Sequence, residues 1–442
     1  MRTRIRNVWY SLSSSYWFIP LLLSLAAIGF SYGLYAIDRY LIGERISSWW
    51  LYSGNIEGAR TILTAIASSM MTIASIVFSI SILMLSTTIT QYGSLLVRNF
   101  MHDKTSQFVF GMFIGTFIYC LVLLNTYEGA WDHPPSLSVS VGILLGILSV
   151  GFLVFFIHHM SASIQSNNVI AKAGKDLRAN IFRLYPKPNS DSNRSGKGVE
   201  DNFPPDFEQW AQPVASDKSG YLQAINLEGL LAMASEHDLF LRLLFRPGDF
   251  IDEGRSLARA GPGERLSEEL SERIRRAFIL GTERTLEQDV EFAVNEIVEV
   301  AARALSPSLN DPLIAVNCID WLGTGLHAMA EVDIPPSYHY DSDNRLRIMT
   351  TQLDFSHFAD AMFGKIRQYV NTNIAATIRL LEVIAEVGQF VRRESDRAVL
   401  RRHAIMLEQG SRRLQMEKWE RKEIDERYRM AVHALHEGEA SQ

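Results

Sequence analysis

The sequence predicts a mixed protein: a four-helix transmembrane domain followed by an α+β cytoplasmic region, itself a small β-rich module plus a helical bundle. Three observations predict this. Four long uncharged apolar runs lie in the first third of the chain. Charge divides with them: residues 1–159 hold 8 Lys+Arg and 6 Asp+Glu, a net of +2, and residues 160–442 hold 35 and 43, a net of −8. The second part alternates strand-like and helix-like apolar periods between Pro- and Gly-rich turns. A chain of 442 residues exceeds one ordinary soluble domain, and 47% hydrophobic content excludes global disorder. The overall charge of −6 argues against a nucleic-acid partner. Cys120 and Cys318 supply no disulfide framework and no zinc site, and no cofactor or metal is expected.

The boundaries expected are a transmembrane domain over 1–159, a membrane-exit helix and flexible linker over 160–219, a small β-rich module over 220–262, an α+β/helical domain over 263–390, and a charged helical tail over 391–442. The four runs cover about Tyr16 to Ile37, Ile62 to Ile89, Phe108 to Thr126 and Leu137 to Ile157. Each supplies the ~20 apolar residues that carry a helix across a ~30 Å hydrocarbon layer. The first follows Arg2, Arg4 and Arg6, as a signal peptide would. It is too long for that and lacks an A-x-A-like cleavage site, so it reads as an uncleaved span. Basic residues before the first run, between the second and third (Arg98, Lys104) and after the fourth (Lys172, Lys175, Arg178) fall on one side of a four-pass chain. The loop from Tyr127 to Pro135 has Glu128 and Asp132 and no basic residue, which puts both termini and the large soluble part in the cytoplasm. Tyr16, Trp17, Trp49, Trp50, Tyr127 and Trp131 stand near the expected boundaries, as an aromatic belt would.

The second run carries Thr61, Thr64, Ser68, Thr72, Ser75, Ser79, Ser86 and Thr90 at helical spacing, so the hydroxyls form one stripe. Such a stripe lines a wet axis when symmetry copies face one another, or seals a tight dry seam between helices. The first reading makes the chain a homo-oligomeric channel for small ions or water and no enzyme; the alternatives are a membrane-anchored scaffold or sensor, or a secondary transporter. The transporter is weakened because no ionisable residue lies within a run. The third and fourth runs contain Gly111-x-x-x-Gly115 and Gly142-x-x-x-Gly146, which permit close helix packing. His158 and His159 at the end of the fourth run read as interface residues, or as a proton sensor.

Two stretches carry a resemblance: Ser94 onward, SLLVRNFMHDKTSQFVFGMFIGTFIYC, and ERTLEQDVEFAVNEIVEVAARALSPSLNDPLIAV further on. With the four runs they resemble the bacterial predicted membrane protein family, domain of unknown function 2254. The resemblance implies a multi-pass protein of the bacterial inner (cytoplasmic) membrane with a cytosolic carboxy-terminal part; the partners expected from the apolar runs and the channel reading are the lipid bilayer and other copies of the chain. It implies no activity and no catalytic residues.

In the soluble part, 186–219 reads as linker, and Gly220–Asn226, Leu239–Phe245, Phe250-Ile251 and Ser256–Ala260 read as strands. RPGDFIDEGRSLARA resembles a hairpin of biotinyl-type barrels but has no lysine at the tip, so a structural β-module is expected. Thr285-Leu-Glu-Gln288 reads as a capping box. Asp311 with Pro312 should cap a helix whose Leu313, Val316, Cys318, Ile319 and Leu322 turn inward. One long helix is expected over Phe355–Val387. The tail reads as a solvated helix pair or an intersubunit coiled coil. Asp341-Ser-Asp343-Asn344 begins like a calcium loop but lacks its glycine and reads as a polar turn. Phosphate-loop, dinucleotide, zinc-protease and nucleophile-elbow motifs are absent from the sequence.

Overall fold

The computed structural model describes residues 17–39, 51–93, 103–126, 135–163, 166–185, 206–351, 353–370, 373–413 and 415–440. The chain forms two compact units, Met1–Val169 and Ile170–Gln442.

Among the described residues the first unit contains four helices: α1 Phe18–Ile37, α2 Ile56–Tyr92, α3 Lys104–Thr126 and α4 Ser136–Ser163. α3 is the inner member and packs against the other three. Phe113, Tyr119 and Cys120 on it are fully buried. The other helices keep large apolar side chains exposed, among them Leu25 and Phe30 of α1 and Ile147 and Val154 of α4. Apolar groups facing outward are what a lipid-facing surface requires. Tyr16, Trp49, Trp50, Tyr127 and Trp131 of the expected belt lie outside the described residues; Trp17 is exposed. Five helices among the described residues are long and apolar enough to cross a membrane, one more than the sequence suggested. The fifth, α10 Pro312–Glu331, belongs to the second unit.

α5 Ser166–Leu184 begins in the last residues of the first unit and continues into the second, where α6 Phe207–Trp210 follows. Two sheets follow. One has five strands in the order β1 Gln212–Ala215, β5 Ser256–Gly261, β3 Phe240–Leu243, β8 Leu346–Met349 and β7 Tyr338–Tyr340; the other joins β4 Phe250–Ile251, β2 Gly220–Ile225 and β6 Phe278–Gly281. Leu222, Leu230, Leu241, Ile251, Leu257, Ile274 and Ile348 share their core with α7 Leu227–Glu236 and α8 Glu268–Arg276. A helical layer follows: α9 Val290–Ala304, α10, α11 Phe355–Val370, α12 Ile374–Gly388, α13 Glu394–Ser411 and α14 Lys418–Ala440.

Several expectations are corrected. The linker ends earlier than Ser219. Phe207 and Val214 are buried, and β1 pairs antiparallel with β5, so two apolar side chains suffice to order 206–215. The β-rich module does not close at residue 262, because β6 completes one sheet and β8 runs parallel to β3 in the other. β4 and β5 join different sheets, so the turn over 252–255 between them is not the tip of a paired hairpin. Thr285 does not open α9. The Gln288 amide is engaged with both backbone groups of Ile225, and Asp289 is the cap, accepting from Phe292 N at 2.9 Å. Leu313 points outward and is 81% exposed, while Cys318, Ile319 and Leu322 are buried. Asp311 caps α10 through Leu313 N and Ile314 N, with Pro312 in the first turn. The expected long helix is two. α11 ends at Val370, and Asn373 caps α12 by accepting from Ala376 N, since a short amide competes well for free N–H groups. The tail helices bury Leu400, Leu407, Ile424 and Leu435 within the chain, while Ile405, Trp419 and Met430 stay exposed; Leu414 lies outside the described residues. The Asp341 carboxylate accepts from Asp343 N, Arg345 N and Arg347 Nε and holds the β7–β8 turn.

His403 of α13 is buried against the Phe363 ring, with Nε2 2.9 Å from Asp360. Burial pushes its pKa down to about 4; Asp360 opposes the shift, and Arg402 and Arg367 add to it. The unfolded chain therefore binds a proton near pH 6.5 that the folded one refuses. The stability this gives is complete above pH 6.5 and is lost as pH falls toward 4, at up to about 1.4 kcal/mol per pH unit. A His403→Phe variant should flatten this part of the stability–pH curve, measured by denaturant unfolding between those limits.

Candidate functional site

The hydroxyl stripe lies on α2. Asn55 starts this helix by accepting from Gly58 N at 2.9 Å, and its 37 residues span about 55 Å. One face is consumed by packing. Ala59, Leu63, Ala67, Met70, Ala74, Val77 and Ser81 are buried against α3 and α4. The stripe occupies the opposite face. Thr61, Thr64, Ser68, Thr72, Ser75, Ser79, Ser86 and Thr90 are all exposed. Met71, Ile76, Ile82 and Leu83 flank them and are also exposed.

The polar chemistry of this face is specific. Thr61, Thr72, Ser75, Ser79 and Thr90 each donate to the carbonyl four residues back, at 2.8–2.9 Å. This satisfies each hydroxyl proton inside the helix and leaves oxygen lone pairs directed outward. A row of this kind can accept hydrogen bonds from water or coordinate a weakly held cation, and it carries no fixed charge.

The glycine motifs hold the unit together. A Cβ at Gly111 would fall 2.7 Å from Leu23 Cδ1 and 3.0 Å from Pro20 Cα, so α1 and α3 touch through backbone there. Gly115 faces Leu23 O and Ala27. A Cβ at Gly142 would fall 2.9 Å from Leu63 Cδ2, and Gly146 faces the Ile66 side chain, so the second motif seats α4 on the inner face of α2. The motifs therefore pack helices within one chain and orient α2.

Two polar links complete the unit. Asp38, beyond the end of α1, is buried and accepts from Leu137 N, Ser138 N and Ser138 Oγ at 3.1, 2.8 and 2.5 Å. It caps α4 across 100 residues of chain, a role sequence reasoning missed because the partners are remote. At the other end, Asp103 caps α3 through Thr105 N and Ser106 Oγ and lies 3.0 Å from His159 Nε2. His159 stacks on Phe155, whereas His158 is exposed on another side of the helix. The structure thus separates the two histidines. Among the described residues no three His, Cys, Asp or Glu side chains converge as a metal site.

The chain belongs to the family described as "Predicted membrane protein (DUF2254)", whose model matches residues 13–386. It is 27% identical over 350 residues to an uncharacterized protein of Mycobacterium bovis and, to the same degree, to one of Mycobacterium tuberculosis. Each match covers 77% of this chain and 65% of the relative, so the chain spans about two thirds of the length of the curated relatives it matches. No solved structure matches the chain.

The close approach at Gly111 makes a direct test. Gly111→Leu should destabilise the detergent-solubilised protein by about 1–3 kcal/mol, as overpacking does. Gly151→Ala, with nothing within 4 Å of the added carbon, should change stability by less than about 1 kcal/mol. Thermal unfolding followed by size-exclusion recovery measures both.

Proposed function

We propose that this family member is a homo-oligomeric channel of the bacterial inner membrane, in which copies of α2 bring their hydroxyl faces to a common axis. α1 to α4 are its membrane spans. α10 is a core helix of the cytoplasmic region, because it buries Cys318, Leu322 and Leu326 and pairs Asp320 with Arg379 at 2.5 Å. Both termini are cytoplasmic in this reading, which the basic residues before the first span, between the second and third and after the fourth support. The protein is a conduit and not an enzyme; the second unit serves assembly and gating.

The observation that carries this reading is the position of the stripe. Its eight hydroxyls lie on the face of α2 that no described helix of the first unit covers. Leaving them to lipid wastes their outward lone pairs, whereas an aqueous axis uses every one. The lining is uncharged, which suits small ions or water at modest selectivity. A scaffold, in which the same face seals a dry seam between copies, is the competing account. The internal bonds of the hydroxyls would let them tolerate that seam.

Purified protein in planar bilayers should give discrete single-channel currents. Ser75→Leu and Ser79→Leu, placed mid-stripe, should reduce unitary current several-fold, and Ile147→Ala on the outer face of α4 should leave it unchanged. Currents indistinguishable from protein-free bilayers, or unaffected by both leucines, would contradict conduction.

A further inference from the structure

We propose that the basic face of α5 binds the headgroups of anionic phospholipids. The inference rests on the reading of α4 as a membrane span and is independent of conduction. α5 is amphipathic, and its apolar face is already spent within the second unit. Ile170, Leu177 and Ile181 are buried, and Gly174 lies so close to the Trp321 ring that no side chain fits between them. The opposite face exposes Lys172, Lys175 and Arg178, which recur every three residues and so form one arc. None of the three forms an ion pair among the described residues, and Asp176 is the acidic neighbour at the edge of the arc. Arg183, further along, is engaged with the carbonyls of Leu286 and Glu287.

Three facts point this face at lipid. The chain from Ser163, the last residue of α4, to Lys172 is only nine residues, which at full extension reach no more than about 30 Å. At the end of the first unit from which α4 leaves, the Asp103 carboxylate is engaged with His159 and Ser106, and Lys104 beside it is exposed. The sign of the arc is also opposite to that of its surroundings. Residues 160–442 carry 35 basic and 43 acidic side chains, so an anionic leaflet repels the soluble part as a whole. A cationic arc tethered within nine residues of the last residue of a span is where headgroup phosphates offset that repulsion. The charged tail is a poorer candidate, because Arg427 pairs with Glu382 and Arg412 with Glu408.

The test uses the full-length protein in an uncharged detergent, titrated with dioctanoyl phosphatidylglycerol or dioctanoyl phosphatidylcholine, with the thermal midpoint as readout. Phosphatidylglycerol should stabilise the wild type at lower concentration than phosphatidylcholine. Each charge removed in Lys172→Gln, Lys175→Gln and Arg178→Gln should raise its half-saturating concentration about fivefold, and the triple variant about 100-fold. Equal response of wild type and triple variant, or equal response to the two lipids, would overturn the proposal. Stabilisation by inorganic phosphate matching that by phosphatidylglycerol would also overturn it, since the ligand would then be a free anion. Should the triple variant fail to fold, the wild type alone decides: half-saturation must rise between about 0.05 M and about 0.5 M salt, and salt-independent binding contradicts the claim. A chain that passes no current but still selects phosphatidylglycerol would refute the channel and leave this surface standing.

Discussion

The packing of α2 against α3 and α4 decides what the first unit presents to its surroundings. Leu63, Ala67, Met70, Ala74 and Val77 form a seam of modest width, and Gly142 and Gly146 let α4 close down on it. A helix has one such seam to spend. Once the apolar side is buried, the hydroxyl side must face outward, and Thr61, Thr72, Ser75, Ser79 and Thr90 on it donate their protons to carbonyls of the same helix. The arrangement needs no charged group in the span. It gives a helix stable in hydrocarbon that still offers a polar surface to water or to another copy.

The two ends of the unit are fixed by carboxylates acting as helix caps. Asp38 ties the end of α1 to the start of α4, and Asp103 ties the start of α3 to the end of α4. Each charge faces a helix amino terminus, where free N–H groups and the helix dipole favour it. Between these caps the contacts are close and mostly apolar, joined by the Tyr119 hydroxyl donating to Ser138 O at 2.8 Å and by the Thr116–Ser149 hydroxyl pair, as expected where lipid removes the usual hydrophobic drive and leaves packing and buried hydrogen bonds to hold helices together.

Much of this was legible in the sequence. Uncharged length located α1 to α4, and three- and four-residue steps placed the hydroxyls on one face. The glycine pairs marked close contacts but not their partners. The sequence could not say that Gly111 meets α1 and Gly142 meets α2, since nothing in either motif encodes a neighbour. No local pattern marks Asp38 as a cap, because its partners lie 100 residues away. In the second unit, local signals for strands held where side chains alternate, as in β2. They failed where tertiary contacts overrule composition. Phe207 and Val214 rescue a polar segment as ordered structure, and β3 takes β8 as a parallel neighbour from beyond residue 340. Thr285 matched a capping pattern, yet Gln288 found a better partner in the backbone of Ile225. Asn373 breaks a periodic apolar pattern that otherwise reads as one helix.

The central claim is that the outward face of α2 meets water. Single cysteines scanned from Ser68 to Ser86, in a Cys120→Ala, Cys318→Ala background in native membranes, test it with a membrane-impermeant thiol reagent. The account predicts reaction at 68, 72, 75, 79 and 86 and none at 70, 74 and 77. Protection of the hydroxyl positions to the same degree as the buried ones would show a dry seam and contradict it.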